Sequence, residues 1–173
     1  LVSGDIFDTI NPSAQAQRSL FNFIHSAHQS LPHLQTILTA GNHDAAGRLE
    51  APSELLQIAN TRVVGTIERH TNGLVRLEKL VLPLPSPSGT VQAIVIAIPF
   101  LRMADLPHLP NATDPYLEGI AALYHSATQE ALRIRSAHPN ARIIAMGHGT
   151  VQAGLRSTDS ERPIVIGTSE ELP

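Results

Sequence analysis

Short apolar runs alternate with longer amphipathic stretches along this chain, and three of the runs end in Gly. Leu1-Val2-Ser3 leads into Gly4, the run Leu34 to Thr39 into Gly41, and Ile143 to Met146 into Gly147; each reads as a strand. After the first, Asn11-Pro12-Ser13 is a turn and a cap, and a helix is predicted from Ser13 to Ser30. Its apolar positions Ala16, Leu20, Phe23, Ile24 and Ala27 follow the helical period, while Phe21 falls off that face. Pro32 stops it. Pro52 opens a short helix through Ala59, and Arg62 to Glu68 reads as a strand. Leu74, Val75, Leu77, Leu80 and Leu82 predict another strand, which turns at the Pro/Ser/Gly-rich stretch Pro83 to Gly89. Val91 to Ile98 is a β-branched run long enough for a strand buried on both faces. Arg102 to Thr113 is a loop punctuated by Pro; Asp114-Pro115 is an N-cap with Pro at the first helical position. That helix reaches Ala137, with Leu117, Ile120, Ala121, Tyr124, Ala127, Ala131 and Ile134 on one face. Gly149 to Pro163 is predicted loop, and Ile164 to Ile166 a last strand. Strands alternating with helices, without repeats or linkers, make an α/β arrangement in one domain.

Composition adds bounds rather than a function. A chain of 173 residues, 42% of them hydrophobic, can build a core, which Leu, Ile, Val and Ala must fill because aromatics are only 3%. The absence of cysteine excludes disulfides and thiolate metal ligands and suits a reducing cytoplasm. No apolar run is long enough to span a membrane and no signal peptide is evident. The net charge of −3 does not advertise nucleic-acid binding. Of the 12 cationic side chains, however, all but Lys79 are Arg, the side chain that grips phosphate bidentately.

In α/β proteins a strand running into Gly delivers the next residues to the carboxyl edge of the sheet, where ligands bind. Three such ends carry Asp5 and Asp8, Asn42 and His43, and His148. A carboxylate, an amide and imidazoles at three strand ends form a metal-site hypothesis. Taken singly, Asp5 reads as an ordinary cap, and Asp44 as a brace for its loop or a cap for the next helix. Arg48 reads equally as a phosphate contact or as the ion-pair partner of Glu50 or Glu54. The other histidines, 25, 28, 33, 70, 108, 125 and 138, show no partner spacing and read as surface residues.

The order Gly4-Asp5-Ile6-Phe7-Asp8, Gly41-Asn42-His43-Asp44, then Gly147-His148 after a strand resembles the calcineurin-like metallophosphoesterase family. Ile98-Pro99-Phe100-Leu101-Arg102, the run from Asn42 to Leu56 and Ser157 to Arg162 narrow the resemblance to its SbcD-type (Mre-type) nuclease subunits, over nearly the whole chain. The resemblance implies an α-β-β-α sandwich of two mixed sheets flanked by helices. It makes Asp5 the carboxylate shared by two cations, with Asn42 and His148 on one of them; the family points to Mn²⁺, with Mg²⁺ the alternative. It gives His43 to the phosphate rather than to metal, as transition-state stabiliser or acid for the leaving oxygen, with Asp8 orienting it. It puts Ser157 to Arg162 on the DNA side. The family's opening Asp-x-His and closing Gly-His-x-His are absent, so the chain is expected to be an interior part of the nuclease domain, incomplete at both ends and inactive alone. The implied activity is DNA exonuclease and endonuclease action in repair and recombination, on double-stranded ends, by a homodimer. The first helix and the one after Asn42-His43 are the expected dimer surface; Phe21 reads equally as part of it or as a loosely packed surface side chain. The sequence has no P-loop, so an SbcC-like ATPase subunit would supply ATP chemistry. The alternatives are a metallophosphoesterase acting on a smaller ester, such as a cyclic nucleotide or phosphoprotein, and a non-catalytic scaffold that dimerises or binds DNA.

Overall fold

Ile37 and Leu38 are sequence neighbours on one strand, yet they belong to two different cores, and both are fully buried. That alternation follows from the period of two along a strand and organises the molecule. In the computed structural model, which describes residues 1–149, the strands are β1 (Val2–Ser3), β2 (Thr36–Thr39), β3 (Thr61–Val64), β4 (Val81–Pro85), β5 (Val91–Ile98) and β6 (Arg142–Gly147). The helices are α1 (Ala14–Ser30), α2 (Ala46–Glu50), α3 (Ser53–Ile58) and α4 (Pro115–Ala137). β1, β2 and β3 form a parallel sheet in that order. β4 and β5 pair antiparallel and β6 runs parallel to β5, which makes a second, mixed sheet.

Parallel neighbours need a crossover, and helices supply each one: α1 between β1 and β2, α2 with α3 between β2 and β3, α4 between β5 and β6. Leu38 packs outward with Ile24 of α1 and Leu56 of α3. Ile37 and Val64 pack inward with the second sheet, whose cluster also takes in Leu123, Ala127 and Ala131 of α4. The layers are therefore helix, sheet, sheet, helix, the architecture that the resemblance implied. Each fully buried Leu or Ile contributes roughly 1.5–3 kcal/mol. β5 is central, and its residues Ile94 to Ile98 are all buried, as its β-branched run predicts.

Several boundaries differ from the sequence reading, each for a local reason. β3 ends at Val64 rather than Glu68, because the Gly65 and Thr66 N–H groups turn to the Glu50 carboxylate, at 2.7 and 3.1 Å. The strand expected from Leu74 is an isolated bridge at Val75 and a 3-10 turn at Leu77–Lys79; β4 begins only at Val81. It then runs through Pro83 and Pro85, where a turn was expected. Among the described residues β4 is an edge strand, and an edge tolerates Pro since its outer side needs no donor. The reverse turn falls on Ser86–Gly89, closed by the Gly89 N–H on the Ser86 carbonyl at 2.8 Å. α2 was not foreseen: it has five residues, Gly47 inside it and no side-chain cap. The strand read as buried from Ile143 is an edge among the described residues, and Ile144 is 40% exposed. Phe23, expected on the buried face of α1, is 57% exposed, so Leu20 and Ile24 carry that helix's packing. The predicted loop beyond residue 149 and the strand Ile164 to Ile166 lie outside the described residues. Among the described residues no helix is long and apolar enough to cross a membrane.

Candidate functional site

β1, β2 and β6 finish at one end of the sandwich, and the residues just beyond them meet there. Gly4 and Asp5 turn the chain with successive positive φ values of 74° and 46°. Asp5 holds this left-handed geometry at a cost of about 1–2 kcal/mol for a residue with a Cβ; its Oδ1 accepts the His43 backbone N–H at 3.1 Å. Gly4 is needed twice over, since a Cβ there would run into the His148 ring. Gly41 is needed because its Cα lies against the Asp5 backbone and carboxylate. Thus Gly closes the approach between strand ends as well as shaping turns. Asp44 is buried beneath them, and its carboxylate accepts the N–H groups of Ile6 (3.0 Å), Phe7 (2.9 Å) and Gly41 (2.7 Å). One carboxylate therefore ties the loop after β1 to the loop after β2.

Above Asp44 the structure brings Asp5, Asn42 and His148 together. His148 Nε2 is 2.9 Å from Asn42 Oδ1 and 3.5 Å from Asp5 Oδ1, while its Nδ1 is 3.2 Å from the Ser3 carbonyl oxygen. The atoms facing the two ring nitrogens in these contacts are all acceptor oxygens. A neutral imidazole has one N–H, so it cannot satisfy both ends. With the proton on Nδ1, donated to Ser3, three lone-pair atoms converge with no donor among them: Nε2, Asn42 Oδ1 and Asp5 Oδ1. A cation resolves that convergence. Two donors each about 2.1 Å from one ion and at a right angle stand about 3 Å apart, close to the separations observed. A backbone carbonyl on the far nitrogen is the usual way a ligating His is oriented. The three residues therefore fit a cation of mixed O/N preference. Among the described residues no group of three or more His, Cys, Asp or Glu forms a metal site; this trio counts an amide among its donors.

The remaining candidates surround this point unequally. The His43 side chain is 16% exposed and its Nδ1 is 3.9 Å from Asp5 Oδ2, so the Asp5 carboxylate lies beside this imidazole. Asp8 is exposed and lines, with Asp5, an open cavity of about 810 Å³ that reaches Leu20 and Phe23 of α1. Arg48 donates from Nη1 to Asn11 Oδ1 at 2.6 Å; Glu50, one of its expected partners, is taken up by Gly65 and Thr66 instead. Ser157 to Arg162 lie outside the described residues.

Sequence reasoning used Phe100 and Arg102 for the resemblance but gave them no place in the site. The Phe100 N–H donates to the Ala40 carbonyl at 2.8 Å, and its ring stands edge-on to His148 with centroids 6.3 Å apart. The Arg102 guanidinium lies 5.6 Å over the Phe100 ring. A signal was present, since Pro99 to Arg102 follow β5 directly and so mark a fourth strand end at this site. Behind the site, the Tyr124 hydroxyl packs against Gly147, and burial pushes this phenol's pKa up.

No protein-family model matches the chain. Along its full length it is similar to the SbcD subunit of the nuclease SbcCD from Rhodobacter capsulatus, at 40% identity over 175 residues. It is likewise similar to the protein of the same name from Escherichia coli K12 (32% over 180 residues) and from Bacillus subtilis (29% over 187 residues). The chain spans 43%, 41% and 43% of the length of these three relatives.

Proposed function

We propose, starting from this end-to-end similarity to the SbcD subunits of SbcCD nucleases, that the chain carries part of a metal-dependent nuclease domain that hydrolyses phosphodiester bonds in DNA. The observation that carries the reading is the convergence of the Asp5 carboxylate, the Asn42 amide oxygen and the His148 imidazole on one point. Their mixed carboxylate, amide and imidazole set suits Mn²⁺, with Mg²⁺ second. Bound there, the metal would supply Lewis-acid stabilisation of the phosphoryl oxygens and an activated water. Asp5 is the proposed shared ligand of a two-ion site in the complete domain, whose Asp-x-His and Gly-His-x-His segments this chain lacks.

The chain's own residues do the rest. His43, with Nδ1 toward Asp5, keeps Nε2 for the substrate and would give its proton to the departing oxygen. Asp8 remains the proposed orienting carboxylate on the cavity side. Arg48 has one N–H committed to Asn11, and its other donors are proposed to hold a DNA phosphate. The proposal extends to a homodimer built on α1 and α3, supported by the exposure of Phe21 (40%), Leu55 (71%) and Ile58 (76%). It also extends to double-stranded DNA ends as substrate, an SbcC-like ATPase partner and a cytoplasmic setting. The isolated 173-residue chain, with part of the ligand shell, is proposed to be inactive.

The test uses the longer protein that contains this segment, with Mn²⁺, on linear duplex DNA and on p-nitrophenyl phosphate esters. Cleavage of DNA far above ester hydrolysis is expected. Ester hydrolysis without DNA cleavage would replace the nuclease by an enzyme of smaller esters.

A further inference from the structure

The donors converging at the site come from two different sheets. Asp5 and Asn42 follow strands of the first, and His148 follows β6 of the second. Whatever fixes the two sheets against each other at this end therefore sets the donor separations. Apart from the contacts of the His148 ring itself, two hydrogen bonds do so among the described residues. Phe100 N–H on the Ala40 carbonyl joins the inner strands, and the Ser3 hydroxyl on the Gly147 carbonyl, at 2.5 Å, joins the outer strands β1 and β6.

Ser3 is unusual in acting on His148 from both sides. Its hydroxyl donates to the carbonyl of the residue just before His148, and its own carbonyl faces His148 Nδ1 at 3.2 Å. The first contact holds the β6 end in place; the second sets the orientation of the ring. Ser3 is exposed, and β1 is an edge strand among the described residues. We propose that Ser3 is the positioning residue for His148, fixing the imidazole over Asp5 and Asn42. Its consequence for metal affinity rests on the reading of these three residues as donors.

Removing the hydroxyl frees the β6 end and lets the Ser3 carbonyl drift from Nδ1. Partners of this kind behind a ligating His typically change metal affinity about 10–100-fold. The test compares the full chain with Ser3→Ala and Ser3→Thr, in two arms. The first is metal-free: ¹⁵N shifts of the His148 ring at about pH 8, where an ordinary imidazole is neutral. Ser3→Ala should move the ring ¹⁵N shifts toward those of free imidazole, and Ser3→Thr, which keeps the hydroxyl, should restore them. The second is Mn²⁺ titration, where Ser3→Ala should weaken binding about 10-fold and Ser3→Thr should bring it back. If the ring shifts of Ser3→Ala match the wild type, the proposal is overturned, whatever the metal arm shows. If the ring shifts respond as expected while no variant binds Mn²⁺, Ser3 positions His148 and the donor reading is what fails.

Discussion

Asp44 shows how a residue without a proposed chemical role can decide the site. Its buried carboxylate takes three backbone N–H groups from two loops, and charge-assisted bonds of this kind are strong. Asp44→Ala would leave those donors unpaired, and a loss of about 3 kcal/mol or more is expected in urea unfolding. A loss below about 1 kcal/mol would mean that water replaces the carboxylate without penalty. His43 is the opposite case, a residue with chemistry and little structural duty. In the longer protein, His43→Ala is expected to abolish DNA cleavage with Mn²⁺ still bound, and unchanged turnover would remove this imidazole from the mechanism. At this scale the sequence was partly legible. Asp5, Asn42 and His148 stood out because each follows a strand and a Gly. The work of Ser3, Phe100 and Arg102 did not, because it depends on which strand ends become neighbours, and spacing along the chain does not carry that.

Among the elements, those with a long period were read well and those shaped by a single tertiary contact were not. α4 announces its extent by its Asp114 cap and Pro115, although Leu117 and Ala121 of the predicted face are exposed and Leu123, which lies off that face, is fully buried. β5 does so by its β-branched run. β3 is cut short by one carboxylate, that of Glu50, and β4 passes through prolines only because it became an edge. The close approach of α4 to the second sheet is set by small side chains, Ala127 and Ala131, both fully buried. Ala127→Leu should therefore overpack this contact and cost about 1–3 kcal/mol, measured by thermal or urea unfolding; an unchanged midpoint would show slack in that layer. The turn after β1 is less forgiving. Gly4→Ala places a Cβ against the His148 ring at a φ of 74°. It should lower stability by about 1–2 kcal/mol, and it should impair Mn²⁺ binding more than Ala127→Leu does.

For the molecule as a whole, the candidate donors lie where two separately built sheets meet, so a bound ion would tie one sheet to the other. Ligands that bind only the folded state stabilise it by mass action, about 1.4 kcal/mol at ten times the dissociation constant. Mn²⁺ should raise the unfolding temperature of the chain, and a chelator should reverse the effect. The most direct measurement is calorimetric titration of Mn²⁺ into the full chain and into its Asp5→Ala, Asn42→Ala and His148→Ala variants. Weak binding of a single ion by the unaltered chain, with loss in all three variants, is the expected result. Titration curves that superimpose across the four proteins would contradict it, because the three side chains would then have no part in holding a cation.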